Sequence, residues 1–271
     1  MVDYGILMLP GMRRKPRHLL NALLCSARAH GLSAKHIERY ETCKVLVLYG
    51  WGGAGQQRAM RLHKGHYVAL DLGYWERNGL DRSKWRVSIN GFHCPRLMMQ
   101  GDTPPISRLL QSQVTIKRDR RRDGPVLMIG NAPKSVTAIA GDWAARKSRE
   151  IKNLWPDKQL IYRPKPGRAP EKNVLYDGIS TGDINHAISK ASVIVCRHSN
   201  VAVDACLMGV PVVAEDGAGA AIYPHRLEDW ENQPSFQQRE DFIQRLAWWQ
   251  WSAYEIRQGK FWPWLEARLR E

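Results

Sequence analysis

The stretch 193-VIVCRHSNVAVDACLMGVPVVAE-215 decides how the chain folds. Val193, Ile194 and Val195 are an uninterrupted β-branched run, which suits a parallel strand covered on both faces. The run stops at Arg197-His198-Ser199-Asn200. Ser199 or Asn200 is a good N-cap, Val201 to Met208 has helical length, and Gly209 is a good C-terminal stop. A second β-branched run, Val210 to Val213, follows at once. The unit reads strand, polar turn, helix, strand, which puts the turn where a parallel sheet receives its ligands.

Upstream, the same style continues. Gln159 to Tyr162 reads as a strand and runs into Arg163-Pro164-Lys165-Pro166-Gly167. Two prolines stiffen the backbone around Lys165, so both cations are presented with little conformational freedom. Arg offers a planar fork for phosphate oxygens and Lys a point charge. Such a loop is otherwise a plain proline-rich surface turn. Arg197 to Asn200 stands at a helix N-terminus, where backbone N–H groups and the helix dipole favour an anion. Asp204 lies one turn into that helix and can accept hydrogen bonds from sugar hydroxyls, or simply favour the dipole. Farther upstream, Val126 to Ile129 reads as a strand, the turn at Gly130 to Ser135 carries Lys134, and a helix is expected from about Asp142 to Leu154.

The first half repeats the alternation. Strands are expected at Tyr4 to Leu9, Lys44 to Tyr49 and Tyr67 to Leu72, with helices at Arg17 to Ala29 and Gln56 to Leu62. The turn Gly50-Trp51-Gly52-Gly53-Ala54-Gly55 does not match GxGxxG and is followed by no P-loop Lys-Ser/Thr, but its glycines let a ligand approach the backbone. Asp71 ends a strand beside that turn, a place for a general base, with His93 as a second choice. After Asp81 the signals weaken. The run Lys117-Arg118-Asp119-Arg120-Arg121-Arg122-Asp123-Gly124-Pro125 has the chemistry of a linker. The tail from Ser235 reads as two helices carrying Trp248, Trp249, Trp251, Phe261, Trp262 and Trp264.

Composition limits the function. The 271 residues allow one large domain or two compact ones, and 44% hydrophobic with 25% charged residues is ordinary for a globular protein. A formal charge of +15 is not ordinary, and points to a polyanionic partner or to anionic ligands. Five cysteines without a CxxC pair argue against a disulfide framework or zinc site and fit a reducing cytoplasm. The Tyr4 to Leu9 run is too short for a signal h-region and precedes its basic residues, and no segment has the length of a membrane span. HExxH, GxSxG and clustered metal ligands are absent.

"CRHSNVAVDACLMGVPVVAEDG", preceded by "YRPKPG" and "GDINHAISKASVIV", resembles the donor lobe of GT-B glycosyltransferases. "LYGWGGAG" with "ALDLGYW" is similar to small phage-encoded glycosyltransferases. The resemblance implies an α/β fold of two Rossmann-like lobes with a cleft between them. The lobes would be 1–120 on the acceptor side and 121–234 on the donor side, with helices at 235–271 bridging them. It implies a metal-independent, monomeric, cytoplasmic enzyme that needs no cofactor and takes a nucleotide-diphosphate sugar, with a UDP-sugar as the expected donor. Donor contacts would come from Gly52, Gly53, Lys134, Arg163, Lys165, Arg197, His198, Ser199, Asn200 and Asp204, and catalysis from Asp71 and His93. The paired-glutamate pattern of many retaining members is incomplete, since Cys196 stands eight residues before Asp204. The expected acceptor is duplex DNA carrying a hydroxymethylated pyrimidine such as hydroxymethylcytosine. Its phosphates would be met by Arg13, Arg14, Lys15, Lys117, Arg118, Arg120, Arg121 and Arg122 along the cleft. The rival acceptor is a lipid-linked or surface polysaccharide, and a non-catalytic DNA-binding protein on the same scaffold is the alternative of another class.

Overall fold

A computed structural model describes residues 2–77, 79–91, 93–112, 114–118, 123–132 and 141–270. In chain order the first elements are β1 (Val2–Leu7), α1 (Arg14–Ala29), β2 (Ala34–Ile37), β3 (Cys43–Tyr49), α2 (Ala54–Leu62), β4 (His66–Leu72) and β5 (Lys84–Ile89). Then come α3 (Pro95–Met98), α4 (Ser107–Leu110), β6 (Val126–Ile129), α5 (Trp143–Leu154), β7 (Leu160–Arg163) and β8 (Gly178–Ile179). The chain continues with α6 (Ile184–Lys190), β9 (Val193–Cys196), α7 (Val201–Met208) and β10 (Val212–Ala214). It ends with α8 (Phe236–Trp248), β11 (Gln250–Ser252), α9 (Ala253–Arg257) and α10 (Phe261–Arg268).

The chain forms two compact units, Met1–Cys94 with Trp248–Glu271, and Pro95–Ala247. These divisions fall away from the expected boundaries near 120 and 234, for two reasons visible in the contacts. Arg239 of α8 is buried and donates to the carbonyls of Lys117 and Cys206, which keeps α8 and the 117 segment in the second unit. β11 pairs antiparallel with β5, and the Gln250 side-chain carbonyl accepts the N–H of Tyr74, which ties the last part of the chain to the first unit. The tail is therefore one helix, a strand and two more helices, where two helices were expected.

The first unit has a six-stranded sheet in the order β11-β5-β4-β3-β1-β2. β2, β1, β3 and β4 run parallel, and β5 and β11 extend the sheet antiparallel. Leu7, Leu46, Leu48 and Ala69 are buried with Ala59 of α2 on one face, and Trp51 packs against them. α1 starts at Arg14, earlier than expected, because Pro16 lies in its first turn, where a missing N–H costs nothing. Trp249, Trp251 and Trp262 of the tail are core residues. Trp262 meets Tyr4 edge-on at 5.0 Å and donates its ring N–H to Ser26 at 3.1 Å, while Trp249, Trp251 and Phe261 are buried beside it. Among the described residues no helix is long and apolar enough to cross a membrane.

The second unit has a parallel five-stranded sheet in the order β10-β9-β6-β7-β8. Val126, Met128, Tyr162, Val193, Val195 and Val213 pack on one face with Trp143, Ala144 and Ile151 of α5. α7 has the predicted bounds. Gly209 follows it in the left-handed conformation at φ 67°, as a helix C-cap requires.

Candidate functional site

In a doubly wound sheet the ligand crevice opens at the carboxyl ends of the two strands where the winding reverses. In the second unit that point lies between β6 and β9, because β7 and β8 continue on one side and β10 on the other. The turn Arg197 to Asn200 leaves β9 at this point, and Gly130-Asn131 leaves β6 beside it.

The turn is held from below. Asp216 donates its N–H to the carbonyl of Arg197 at 2.7 Å. Gly217 sits against the His198 backbone so closely that a Cβ would stand 2.9 Å from His198 Cα. Asn200 is the N-cap residue but makes no side-chain cap. Instead the Ser199 hydroxyl accepts the N–H of Val201 at 3.2 Å, and the Ser199 and Asn200 carbonyls accept the N–H groups of Ala202 and Val203. The N–H groups of Val201, Ala202 and Val203, which the sequence offered to an anion, are thus taken up within the turn and the first turn of α7. What the turn offers a ligand is side chains. Ser199 keeps its own O–H to donate, and Arg197, half-buried, pairs with no carboxylate among the described residues. Asp204 is half-buried one turn on.

Arg163 and Lys165 part company. Arg163 is buried, and its two terminal nitrogens donate to Ser180 Oγ at 2.9 Å and the Gly182 carbonyl at 2.6 Å. Its guanidinium fastens the end of β7 to the loop after β8. Lys165 is exposed two residues on. Lys134 lies outside the described residues.

Lys117 and Arg118, at the start of the basic run, lie away from this turn within the same unit. Lys117 donates its N–H to the carbonyl of Leu207, and the Arg118 carbonyl stands 2.5 Å from where a Gly209 Cβ would be. Arg118 also lies 5.4 Å over the Phe236 ring. These are contacts with the C-terminal end of α7, about 12 Å of helix from the turn at its start. Arg239 anchors the Lys117 segment to this far end of the helix. Arg120, Arg121 and Arg122 lie outside the described residues.

In the first unit the winding reverses between β1 and β3. There the glycine turn meets the loop after β1, since a Cβ on Gly55 would stand 2.7 Å from Leu9. Gly52 is half-buried within the turn and Gly53 is the N-cap of α2. Arg13 is the N-cap of α1, and Arg13, Arg14 and Lys15 are exposed with no carboxylate partner among the described residues.

Asp71 and His93, far apart in sequence, are joined by a residue that sequence reasoning missed. Arg86 of β5 faces Asp71 across the strand pair and donates to its Oδ2 at 3.2 Å, while its other terminal nitrogen is 2.6 Å from His93 Nδ1. Arg86 has only 5% of its side chain exposed, whereas Asp71 keeps 34%. Asp71 Oδ1 accepts the N–H of Leu72 at 2.8 Å. Both carboxylate oxygens are thereby oriented, and each has a lone pair left. Tyr49, next to them, has its hydroxyl pushed up to about 12 by burial and then by the Asp71 charge, with Arg86 and Arg13 opposing. That places Arg13 within electrostatic reach of this group. An alternating polar strand, Lys84-Trp85-Arg86-Val87-Ser88, was the one signal in the sequence that could have pointed to Arg86.

No protein-family model matches the sequence, and no curated protein matches it. Solved structures do. KpsC of Thermosulfurimonas dismutans, a beta Kdo 2,7 transferase, matches with a TM-score of 0.54 and 11% identity, over 96% of this chain and 98% of that one. The beta Kdo 2,4 transferase of the same organism's KpsC matches with a TM-score of 0.51 and 13% identity, over 91% and 90%. The chain has the fold of these glycosyltransferases. At such identities only the fold carries over, and the chemistry rests on the residues described above.

Proposed function

We propose that this chain is a glycosyltransferase that moves a sugar from a sugar nucleotide to an acceptor hydroxyl. The observation that carries the reading is the polar turn Arg197 to Asn200 at the winding reversal of a parallel sheet, with a cation that pairs with no carboxylate among the described residues and a hydroxyl free to donate. When the bond between the sugar's anomeric carbon and the phosphate oxygen breaks, negative charge grows on that oxygen. Arg197, Lys165 and the Ser199 O–H stabilise it, and Asp204 takes ribose hydroxyls. His198 and Asn200 complete the turn. Arg163 acts through the loop it fastens. The acceptor hydroxyl forms the new bond to the anomeric carbon and gives its proton to a general base. Asp71, whose carboxylate Arg86 and the Leu72 N–H hold in place, has the chemistry of such a base.

For the acceptor, the charge of +15 and the exposed Arg13, Arg14 and Lys15 favour a polyanion. An acidic glycan is the first reading, supported by the two matching folds, both of Kdo transferases. Duplex DNA with a hydroxymethylated pyrimidine is the second, supported by the same charge. The test is to incubate the protein with UDP- and CMP-linked sugars and either acidic oligosaccharides or hydroxymethylated and unmodified DNA, then read nucleotide release and product mass. Nucleotide release with one acceptor class names it. DNA binding without release from any donor would instead make the chain a binding protein.

A further inference from the structure

We infer that Asn131 is a donor-recognition residue whose side-chain amide binds an anionic oxygen of the sugar nucleotide. The inference deepens the proposed function and rests on its donor assignment. Asn131 is 8% exposed, and its Nδ2 has no hydrogen-bond partner among the described residues. An amide donor buried without a partner is rare, because it forfeits its bonds to water and gains nothing in return.

Its surroundings show why it stays there. β6 and β9 pair in parallel with Met128 opposite Val195, so continuing the register sets Asn131 beside His198 of the candidate turn. Side chains alternate along a strand. Val126 and Met128 belong to the face under α5, so Leu127 and Ile129 belong to the other face, and Asn131 follows two residues past the end of β6. α7 contributes no side chain to the α5 face. The backbone at Asn131 is fixed independently of its side chain. Its N–H donates to Glu171 Oε1 at 2.7 Å, and the same oxygen accepts the Tyr162 hydroxyl at 2.9 Å. A rigid backbone thus presents an unspent donor at the winding reversal, next to the turn that holds Arg197 and Ser199. A donor without charge, set beside a cation, fits an acceptor-only group. That is a phosphate oxygen or a sugar carboxylate.

The test uses the full chain and two variants. Calorimetry with UDP, inorganic phosphate and galacturonate compares wild type with Asn131→Ala. Loss of one hydrogen bond to a charged oxygen weakens affinity roughly 10- to 150-fold. A loss confined to UDP and phosphate assigns the amide to the phosphate, and a loss confined to galacturonate assigns it to the sugar acid. Asn131→Leu, which fills the volume without the donor, should melt in the ligand-free state at or above the wild-type temperature. A structural amide would do the reverse, so a Leu variant melting several degrees lower overturns the inference. So does an Ala variant that binds all three probes with wild-type affinity. If wild type binds none of them, nor CMP, the donor assignment falls, and this inference with it.

Discussion

Replacing Gly217 by Ala strikes the candidate turn from beneath. Gly217 has φ 82° and ψ −171°, a region that side chains strongly disfavour. Forcing Ala there costs about 1–3 kcal/mol. The new Cβ would also stand 2.9 Å from His198 Cα and 3.1 Å from its carbonyl carbon, both backbone atoms that cannot swing aside. Crowding of that kind adds about 1–3 kcal/mol. The total, about 4 kcal/mol, corresponds to a fall in Tm of roughly 8–16 °C at about 2–4 °C per kcal/mol for domains of 150–250 residues. Gly167→Ala is the control in the same unit. It also has positive φ, at 73°, but nothing lies within 4 Å of its Cβ, so only the backbone cost of about 1–2 kcal/mol applies. Scanning calorimetry measures both, and titration with UDP measures whether the His198 backbone has moved. If Gly217→Ala lowers Tm no more than Gly167→Ala does, the close packing of residue 217 under the turn is refuted.

Asp71→Asn should reduce the rate of nucleotide release by about 10²–10⁴-fold with little change in donor KM, since it removes a proton acceptor and no donor contact. A variant as fast as wild type would take Asp71 out of the chemistry. Changing Lys117 and Arg118 together to Ala should leave UDP affinity within about twofold, because both sit at the far end of α7. A larger loss in calorimetry would contradict that placement. Burial pushes the Cys196 thiol up to about 12, so at pH 8 it is protonated and inert, while Cys25 is exposed. Iodoacetamide at pH 8 should therefore label Cys25 and spare Cys196 until the chain is denatured, as peptide mass spectrometry would show.

Four strands of the second unit's parallel sheet were readable because they are short apolar runs, and because Gly209 had to stop α7, whereas the two-residue β8 was not. What escaped was pairing at a distance. β2 is Ala-Lys-His-Ile, a polar edge strand too short for a pattern to emerge. β5 and β11 carry Arg86, Ser88, Gln250 and Ser252, all buried, and a buried polar side chain looks exposed until its partner is known. Arg86 has Asp71 and His93, and Gln250 has the N–H of Tyr74. The tryptophans of the tail gave a helical impression for the same reason, as Trp249 and Trp251 flank a strand residue that pairs back to β5. At the site, residue types announced the turn Arg197 to Asn200. Whether Arg163 was free or fastened depended on Ser180 and Gly182, which nothing local to it reveals.

Because the first unit is made from residues on both sides of the second, the order of synthesis matters. On a ribosome β1 to β5 emerge early, and Tyr4 and Ser26 then wait for Trp262, while Trp85 and Arg86 wait for the strand at Gln250 to Ser252. At 5–20 residues per second, translation of the intervening unit takes roughly eight to thirty seconds. The second unit, continuous in the chain, can close during that interval. The first holds an open β5 edge and an uncovered aromatic pocket throughout, which makes the nascent chain a natural client for chaperones.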